Sequence, residues 1–96
     1  MTHKALPRWV YRVQWDISKQ MWTHITRLHE GRKTVPGTIE YGPDFNLKRD
    51  AVADARRLAK NSGIPTRQNS QLIIYNKTGK IEREWTYGDD PKRRKG

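Results

Sequence analysis

Residues 8–15 read RWVYRVQW, and this stretch decides how the first part of the chain folds. Aromatic and β-branched side chains at positions 9, 11, 13 and 15 alternate with a second, more mixed set. A period of two is expected of a strand with one buried face. Residues 16–20 are short and turn-like, and residues 21–28 are again rich in aromatic and β-branched side chains. The two segments are therefore predicted to pair as an antiparallel hairpin.

Helical periodicity follows a Gly- and Pro-rich loop at residues 29–43, in which only residues 38–41 look extended, as a candidate third strand. The apolar positions then recur at helical spacing and form one stripe, which consists of Ala51, Val52, Ala55, Leu58 and Ala59. Asn46 is expected to be the N-cap, and Gly63 suits the left-handed position after the last turn. One helix is predicted over residues 47–62.

A second hairpin is predicted after the helix. Residues 71–75 form an apolar strand, and the connection at residues 76–79 ends in a glycine where a positive φ is wanted. Residues 80–87 alternate again, and one face of this strand is predicted to carry Ile81, Arg83, Trp85 and Tyr87.

These elements predict an α+β fold, an antiparallel sheet with one helix packed on one face, in the order β-β-(β)-α-β-β. A chain of 96 residues is long enough for one domain, which we place at residues 8–91. Residues 1–7 are predicted to be a flexible lead-in, and residues 92–96 a flexible basic tail. Aliphatic residues are scarce, so the four Trp and four Tyr are expected to supply much of the core.

The second half of the chain resembles a known bacterial family. The segments that carry the resemblance are FNLKRDAVADARRLAK at residues 45–60, LIIYNKTGKI at 72–81 and YGDDP at 87–91. They resemble domain-of-unknown-function family 2188, whose pattern is an aromatic, a polar cap, an Ala-rich helix, a strand, a Gly turn, a charged strand and a closing Tyr-Gly-x-Asp-Pro. The chain departs from that pattern at Leu47, where Thr or Ser is usual. The resemblance implies the hairpin-helix-hairpin fold and no activity, because the family is uncharacterised.

The charge balance restricts the partners. Twenty Lys and Arg stand against ten Asp and Glu, which gives a formal net charge of +10. A chain this basic attracts polyanions, with nucleic acid as the first choice. There are no cysteines, no apolar run long enough for a membrane span and no pattern of a secretory signal. We therefore expect a cytoplasmic protein with no membrane partner.

The predicted function is that of a small non-enzymatic nucleic-acid-binding protein that contacts mainly the phosphate backbone of DNA or RNA, with weak sequence preference. Arg32 and Lys33 in the loop are expected to help. The side chains expected to contact phosphates are Arg56, Arg57, Lys60, Arg67, Lys92, Arg93, Arg94 and Lys95. The alternative interpretation of the basic residues on the helix is an ordinary charged face that contacts only solvent.

Aromatic residues interleaved with basic ones are also typical of surfaces that stack bases. Most of them are expected in the core, and the candidates for exposed stacking positions are Trp22, Tyr75 and Tyr87. A sheet that enters the DNA major groove is a second binding mode that the sequence leaves open.

The alternative function is a protein-interaction module, such as a phage or accessory protein, which docks on an acidic protein through the uncovered sheet face or an edge strand. That free face is also a candidate for homodimer formation. We expect no cofactor, no metal and no catalytic residue, because the three histidines are not spaced as ligands and no phosphate loop or nucleophile motif occurs.

Overall fold

A computed structural model describes residues 7–62 and 69–87. In chain order the described elements are β1 (Pro7–Asp16), β2 (Met21–Glu30), β3 (Lys33–Thr34), β4 (Glu40–Tyr41), α1 (Lys48–Ser62), β5 (Asn69–Tyr75) and β6 (Ile81–Tyr87). The predicted tail at residues 92–96, and all but the last residue of the predicted lead-in, lie outside the described residues.

The described strands form one six-stranded open sheet, and α1 packs on one of its faces. The strand order is β3-β2-β1-β5-β6, and β4 also pairs with β2. The predicted α+β class with one helix on the sheet is therefore confirmed. The candidate third strand is present as β4, and the loop contributes one further short pairing, β3.

One strand pair departs from the predicted antiparallel arrangement. β1 and β5 run parallel, with Tyr11 opposite Leu72. The path of the chain explains this direction, because after β2 the chain returns along that strand through β4 and a bridge between Phe45 and Trp22. α1 therefore begins near the start of β2 and leads back to the end of the sheet where β1 begins. β5 starts there, beside β1, and runs in the same direction.

β1 also begins one residue earlier than predicted. Pro7, which we placed in the lead-in, is the first residue of the strand and lies opposite Glu30. The first position of a strand tolerates proline, because the missing N–H need not contribute to the ladder there.

The start of α1 differs from the predicted one. The backbone carbonyl of Leu47 accepts hydrogen bonds from the amides of Asp50 at 3.1 Å and Ala51 at 3.3 Å. Leu47 therefore occupies the N-cap position, and the prediction that Asn46 is the N-cap is wrong. A leucine side chain cannot accept a hydrogen bond from the first-turn amides, so this helix lacks a side-chain cap at that position.

The core lies between α1 and the sheet face that the helix covers. Ala51, Ala55 and Ala59 of the predicted stripe are completely buried. Because alanine ends at Cβ, the helix can approach the sheet closely and pack against Val13 and Leu72, which are also fully buried. The partly buried hydrophobic residues around this centre are Trp9, Trp15, Phe45, Val52, Leu58, Trp85 and Tyr87.

A β-bulge interrupts the alternation of β6. Ile74 lies opposite Arg83, but the next residue, Tyr75, lies opposite Ile81, so Glu82 is the extra residue. The prediction that Ile81 shares a face with Arg83 is therefore wrong, and Ile81 is 52% exposed. The bulge turns Glu82 toward the helix, where it forms an ion pair with the first residue of α1.

Candidate nucleic-acid interface

A groove of about 1020 Å³ runs between α1 and β6 on the helix-bearing face of the sheet. Six of its lining side chains are cationic and only one is a carboxylate, Glu82. The cationic set is Lys48, Arg49, Arg56, Arg57, Lys60 and Arg83. Such a groove attracts anions and repels cations.

Helix geometry explains why the positive charges line one wall. Arg49, Ala53, Arg56 and Lys60 are spaced at i, i+4, i+7 and i+11, so they form a row along one side of α1. This row faces β6, while the alanine stripe faces the core. Ala53 leaves space between the longer side chains, and that space is part of the groove.

Trp85 provides an aromatic surface within the groove. The guanidinium carbon of Arg56 lies 5.2 Å from the centroid of the Trp85 ring, and that of Arg83 lies 5.7 Å from it. Both distances are within the range of a cation–π contact. Val52 and Ile74 add apolar surface beside the ring. The groove thus combines an apolar floor with basic walls.

Two of the six cations are paired with carboxylates. Lys48 Nζ forms an ion pair with Glu82, and Arg57 Nη2 lies 2.7 Å from Asp54 Oδ1. Within residues 7–62 and 69–87 no ion pair involves Arg49, Arg56, Lys60 or Arg83. These four groups therefore leave a local excess of positive charge.

Asp54 links this wall of the groove to the core. Its Oδ2 lies 2.8 Å from Nε2 of the buried His24 on β2, and its Oδ1 holds Arg57. The hydrogen bond with His24, and then that with Arg57, hold the pKa of the Asp54 carboxyl below its ordinary value. The contact with His24 fixes α1 on the sheet at its middle.

His24 is itself held by close packing. Phe45 stacks on its ring with the two centroids 6.1 Å apart. Gly42 donates its amide hydrogen to the His24 carbonyl at 2.8 Å, and a Cβ at this position would overlap the His24 ring. Glycine is required here for close approach, so the segment before α1 contributes directly to the placement of the helix.

The structure brings together three of the predicted phosphate-contacting residues. Arg56, Arg57 and Lys60 all line the groove. Arg67 and residues 92–95 lie outside the described residues. Lys33 lies on β3, and Arg32 in the turn beside it. Because β3 is at the opposite edge of the sheet from β6, these two residues do not line the groove, and the expectation that they help the helix to contact phosphates stays a prediction.

The prediction that Trp22 is an exposed stacking residue is wrong. It is only 6% exposed, and it packs edge-on against Trp15 with centroids 5.4 Å apart. Its position beside the bridge to Phe45 places it inside the core. A buried ring cannot present a face to a base.

The two tyrosines are half-buried. Tyr75 accepts a hydrogen bond from Arg12 Nε at 3.3 Å on the sheet face away from α1. Tyr87 packs against the core, and its hydroxyl is buried. The aromatic of the groove is instead Trp85, which is not among the predicted stacking residues. The Arg83-x-Trp85 spacing on an alternating strand is the signal that indicates it, because i and i+2 share a face.

The described residues contain no group of three or more His, Cys, Asp or Glu arranged to hold a metal ion. In the same part of the chain, no helix has the length and apolar character needed to cross a bilayer.

Residues 44–87 match the family DUF2188, described as "Uncharacterized protein conserved in bacteria". The match confirms the predicted resemblance and includes all of the groove-lining elements, α1, β5 and β6. No curated protein and no solved structure matches the chain.

Proposed function

We propose that this protein binds nucleic acid, and that the groove between α1 and β6 is its contact surface. The observation that carries the proposal is the row of unpaired cations at Arg49, Arg56 and Lys60, facing Arg83 across the groove. Positive groups that form no ion pair gain most from an external anion, because no carboxylate has to be displaced.

The spacing of the row suits a polymer of phosphates better than a single small anion. On an α-helix the Cα atoms of Arg49 and Arg56 are separated by a rise of about 10 Å, and those of Arg56 and Lys60 by about 6 Å. One small anion cannot contact all three side chains, whereas a backbone with repeated charges can. Contacts of this kind position a strand without reading its bases, so weak sequence preference is expected.

The apolar floor supports the same proposal. Trp85 lines the groove together with the cations and with Val52 and Ala53. Surfaces that bind single strands combine a basic track with an aromatic ring on which a base can stack. The groove has both components, whereas a purely electrostatic surface would have only the first.

Fluorescence anisotropy with labelled single-stranded and duplex DNA and RNA tests the proposal. The Arg56→Gln, Lys60→Gln double variant removes two groove charges. The matched control is Arg32→Gln, Lys33→Gln, which removes two exposed charges at the far edge of the sheet. We expect the groove variant to bind about tenfold or more weakly, with a shallower salt dependence by roughly 1.5 units of slope, and the control to change affinity less than threefold.

Three results would contradict the proposal. Equal losses in the groove and control variants would show that net charge alone attracts the polymer, without a site in the groove. If poly-glutamate displaces the labelled strand as well as an oligonucleotide of the same charge does, the alternative function, docking on an acidic protein, is favoured. If none of the four nucleic acids binds at micromolar protein and low salt, both the proposed function and the proposed contact surface are overturned.

A further inference from the structure

A second cationic cluster lies on the open face of the sheet, the face away from α1. It is formed by Arg8 and Arg12 on β1 and by Arg27 and His29 on β2. Arg8 lies opposite His29 and Val10 lies opposite Arg27, so the strand register gathers the four polar side chains around Val10. Val10 is only 1% exposed, although the one helix among the described residues, α1, packs on the other face of the sheet.

Two of the three arginines of this cluster, Arg8 and Arg12, are oriented by neutral acceptors. Arg8 Nε donates to Gln71 Oε1 at 3.2 Å, and Arg8 Nη1 donates to a backbone carbonyl at 3.4 Å. Arg12 Nε donates to the Tyr75 hydroxyl at 3.3 Å. In the described part of the chain, no ion pair involves Arg8, Arg12 or Arg27. Arg8 and Arg12 are therefore held in place without an ion-pair partner, and the carboxylate of Glu84 is connected to the cluster through Gln71, whose Nε2 donates to Glu84 Oε1 at 3.1 Å.

His29 adds an independent observation. Its side chain is nine-tenths buried, and both its Nε2 and Arg12 Nη1 are buried without a hydrogen-bond partner among the described residues. Buried polar atoms are normally satisfied, so two such atoms in one cluster need an explanation. Burial, followed by the charges of Arg12, Arg8 and Arg27, lowers the pKa of His29. The residue opposite it on β3, Thr34, is uncharged.

We propose that Arg8, Arg12 and Arg27 form a second anion-binding site, which takes one phosphate group beside His29. Guanidinium groups donate paired hydrogen bonds that match phosphate oxygens, and the unpartnered Nη1 of Arg12 supplies one of these donors. A phosphate would also compensate the three charges that surround the buried ring. The group could come from free phosphate or from a nucleic-acid backbone. The proposal does not depend on the α1–β6 groove, which is on the other face of the sheet.

NMR titration of the imidazole signals of His29 tests this site. The probes are inorganic phosphate and a dinucleotide with one internal phosphate, each compared with sodium chloride at the same ionic strength. We expect saturable shifts, with a dissociation constant on the order of 1–10 mM for the single group. Bound phosphate should raise the pKa of His29, because its negative charge offsets the arginine charges that help to lower this pKa. The probe that binds more tightly identifies the source of the phosphate.

The matched variants are Arg27→Gln and Arg32→Gln. Arg27 has no hydrogen-bond or ion-pair partner among the described residues, so its replacement should leave the fold intact. We expect Arg27→Gln to weaken phosphate binding about tenfold, and the equally charged change Arg32→Gln to alter it less than twofold. The site is overturned if chloride reproduces the His29 shifts, if both variants behave alike, or if neither probe moves the signals. The Trp85 indole signal reports the groove separately.

Discussion

The guanidinium carbon of Arg56 on α1 lies 5.2 Å from the centroid of the Trp85 ring on β6. This contact joins the helix to the edge strand across the groove, and Arg83 approaches the same ring from its own strand at 5.7 Å. The ring therefore holds two of the unpaired groove cations in place. We therefore expect the ring to contribute to the stability of the fold as well as to the proposed interface.

Replacing Trp85 tests this contact. Trp85→Leu keeps an apolar side chain but removes the π-face, so we expect the free energy of unfolding to fall by about 1–2 kcal/mol. Trp85→Phe keeps a face and should lose about half as much. Urea denaturation measures both. Equal losses for Leu and Phe would show that the two arginines gain nothing from the aromatic ring.

Gly42 is predicted to be intolerant of any side chain. A Cβ there would overlap the His24 ring, so Gly42→Ala should destabilise the protein by about 1–3 kcal/mol. The matched test is a double-mutant cycle with His24→Ala, which removes the overlapping ring. In that background the added methyl group should cost much less. Additive effects of the two changes would contradict steric overlap as the cause.

The N-cap of α1 offers a stabilising change. Leu47 occupies the cap position, is 47% exposed and has no acceptor for the first-turn amides. Leu47→Ser should raise the free energy of unfolding by about 1 kcal/mol, because the serine hydroxyl can accept a hydrogen bond from one of these amides. Leu47→Ala is the control, since it shortens the side chain without supplying an acceptor. Thermal unfolding in which Ser and Ala behave alike would contradict the assignment of the cap.

His29 predicts how stability depends on pH. Burial and the neighbouring arginines lower its pKa in the folded state from the ordinary value of 6.5. Between the two pKa values the unfolded chain binds more protons than the folded one, so this group makes stability fall as the pH drops below about 6.5. The loss is complete once the pH is below the folded pKa.

His29→Gln provides the comparison for that prediction. It should flatten the part of the pH profile of urea unfolding that begins near 6.5, in the absence of phosphate. A wild-type profile with the same slope as that of His29→Gln across this window would contradict a lowered His29 pKa. Asp54 changes the pH profile in a separate range. Because its folded pKa is lowered from the ordinary value of 3.8, the stability that it contributes is present above that pH and is lost as the pH falls below it.

Local patterns predicted much of the fold, and long-range geometry accounts for most of what they missed. The alternation at residues 8–15 and the alanine stripe of α1 depend on neighbouring residues, and both are confirmed. The parallel pairing of β1 and β5 depends on where the loop before α1 returns the chain. The bulge at Glu82 likewise depends on register with β5, so no pattern within β6 alone reveals it.

The candidate site was predicted in part for the same reason. Helical spacing predicted Arg56, Arg57 and Lys60 as neighbours. Lys60 follows them by four and three residues, and residues at this spacing lie on the same side of a helix whatever packs against it. Trp85 was missed as a site residue, since its role arises from the packing of β6 beside α1. Trp22 was predicted as a candidate for an exposed position because eight Trp and Tyr are many for one core, and its burial against Trp15 excludes it.

The most direct measurement for the proposed function is a chemical-shift titration of isotope-labelled protein with a short single strand and a short duplex. It should observe the arginine Nε–H groups and the four tryptophan indole signals together. The account predicts that the largest shifts fall on Arg49, Arg56, Arg83 and Trp85, and that Arg32 is unaffected at the same oligonucleotide concentration. Shifts spread evenly over all arginines, or an unchanged Trp85 indole at saturation, would contradict a nucleic-acid interface in the α1–β6 groove.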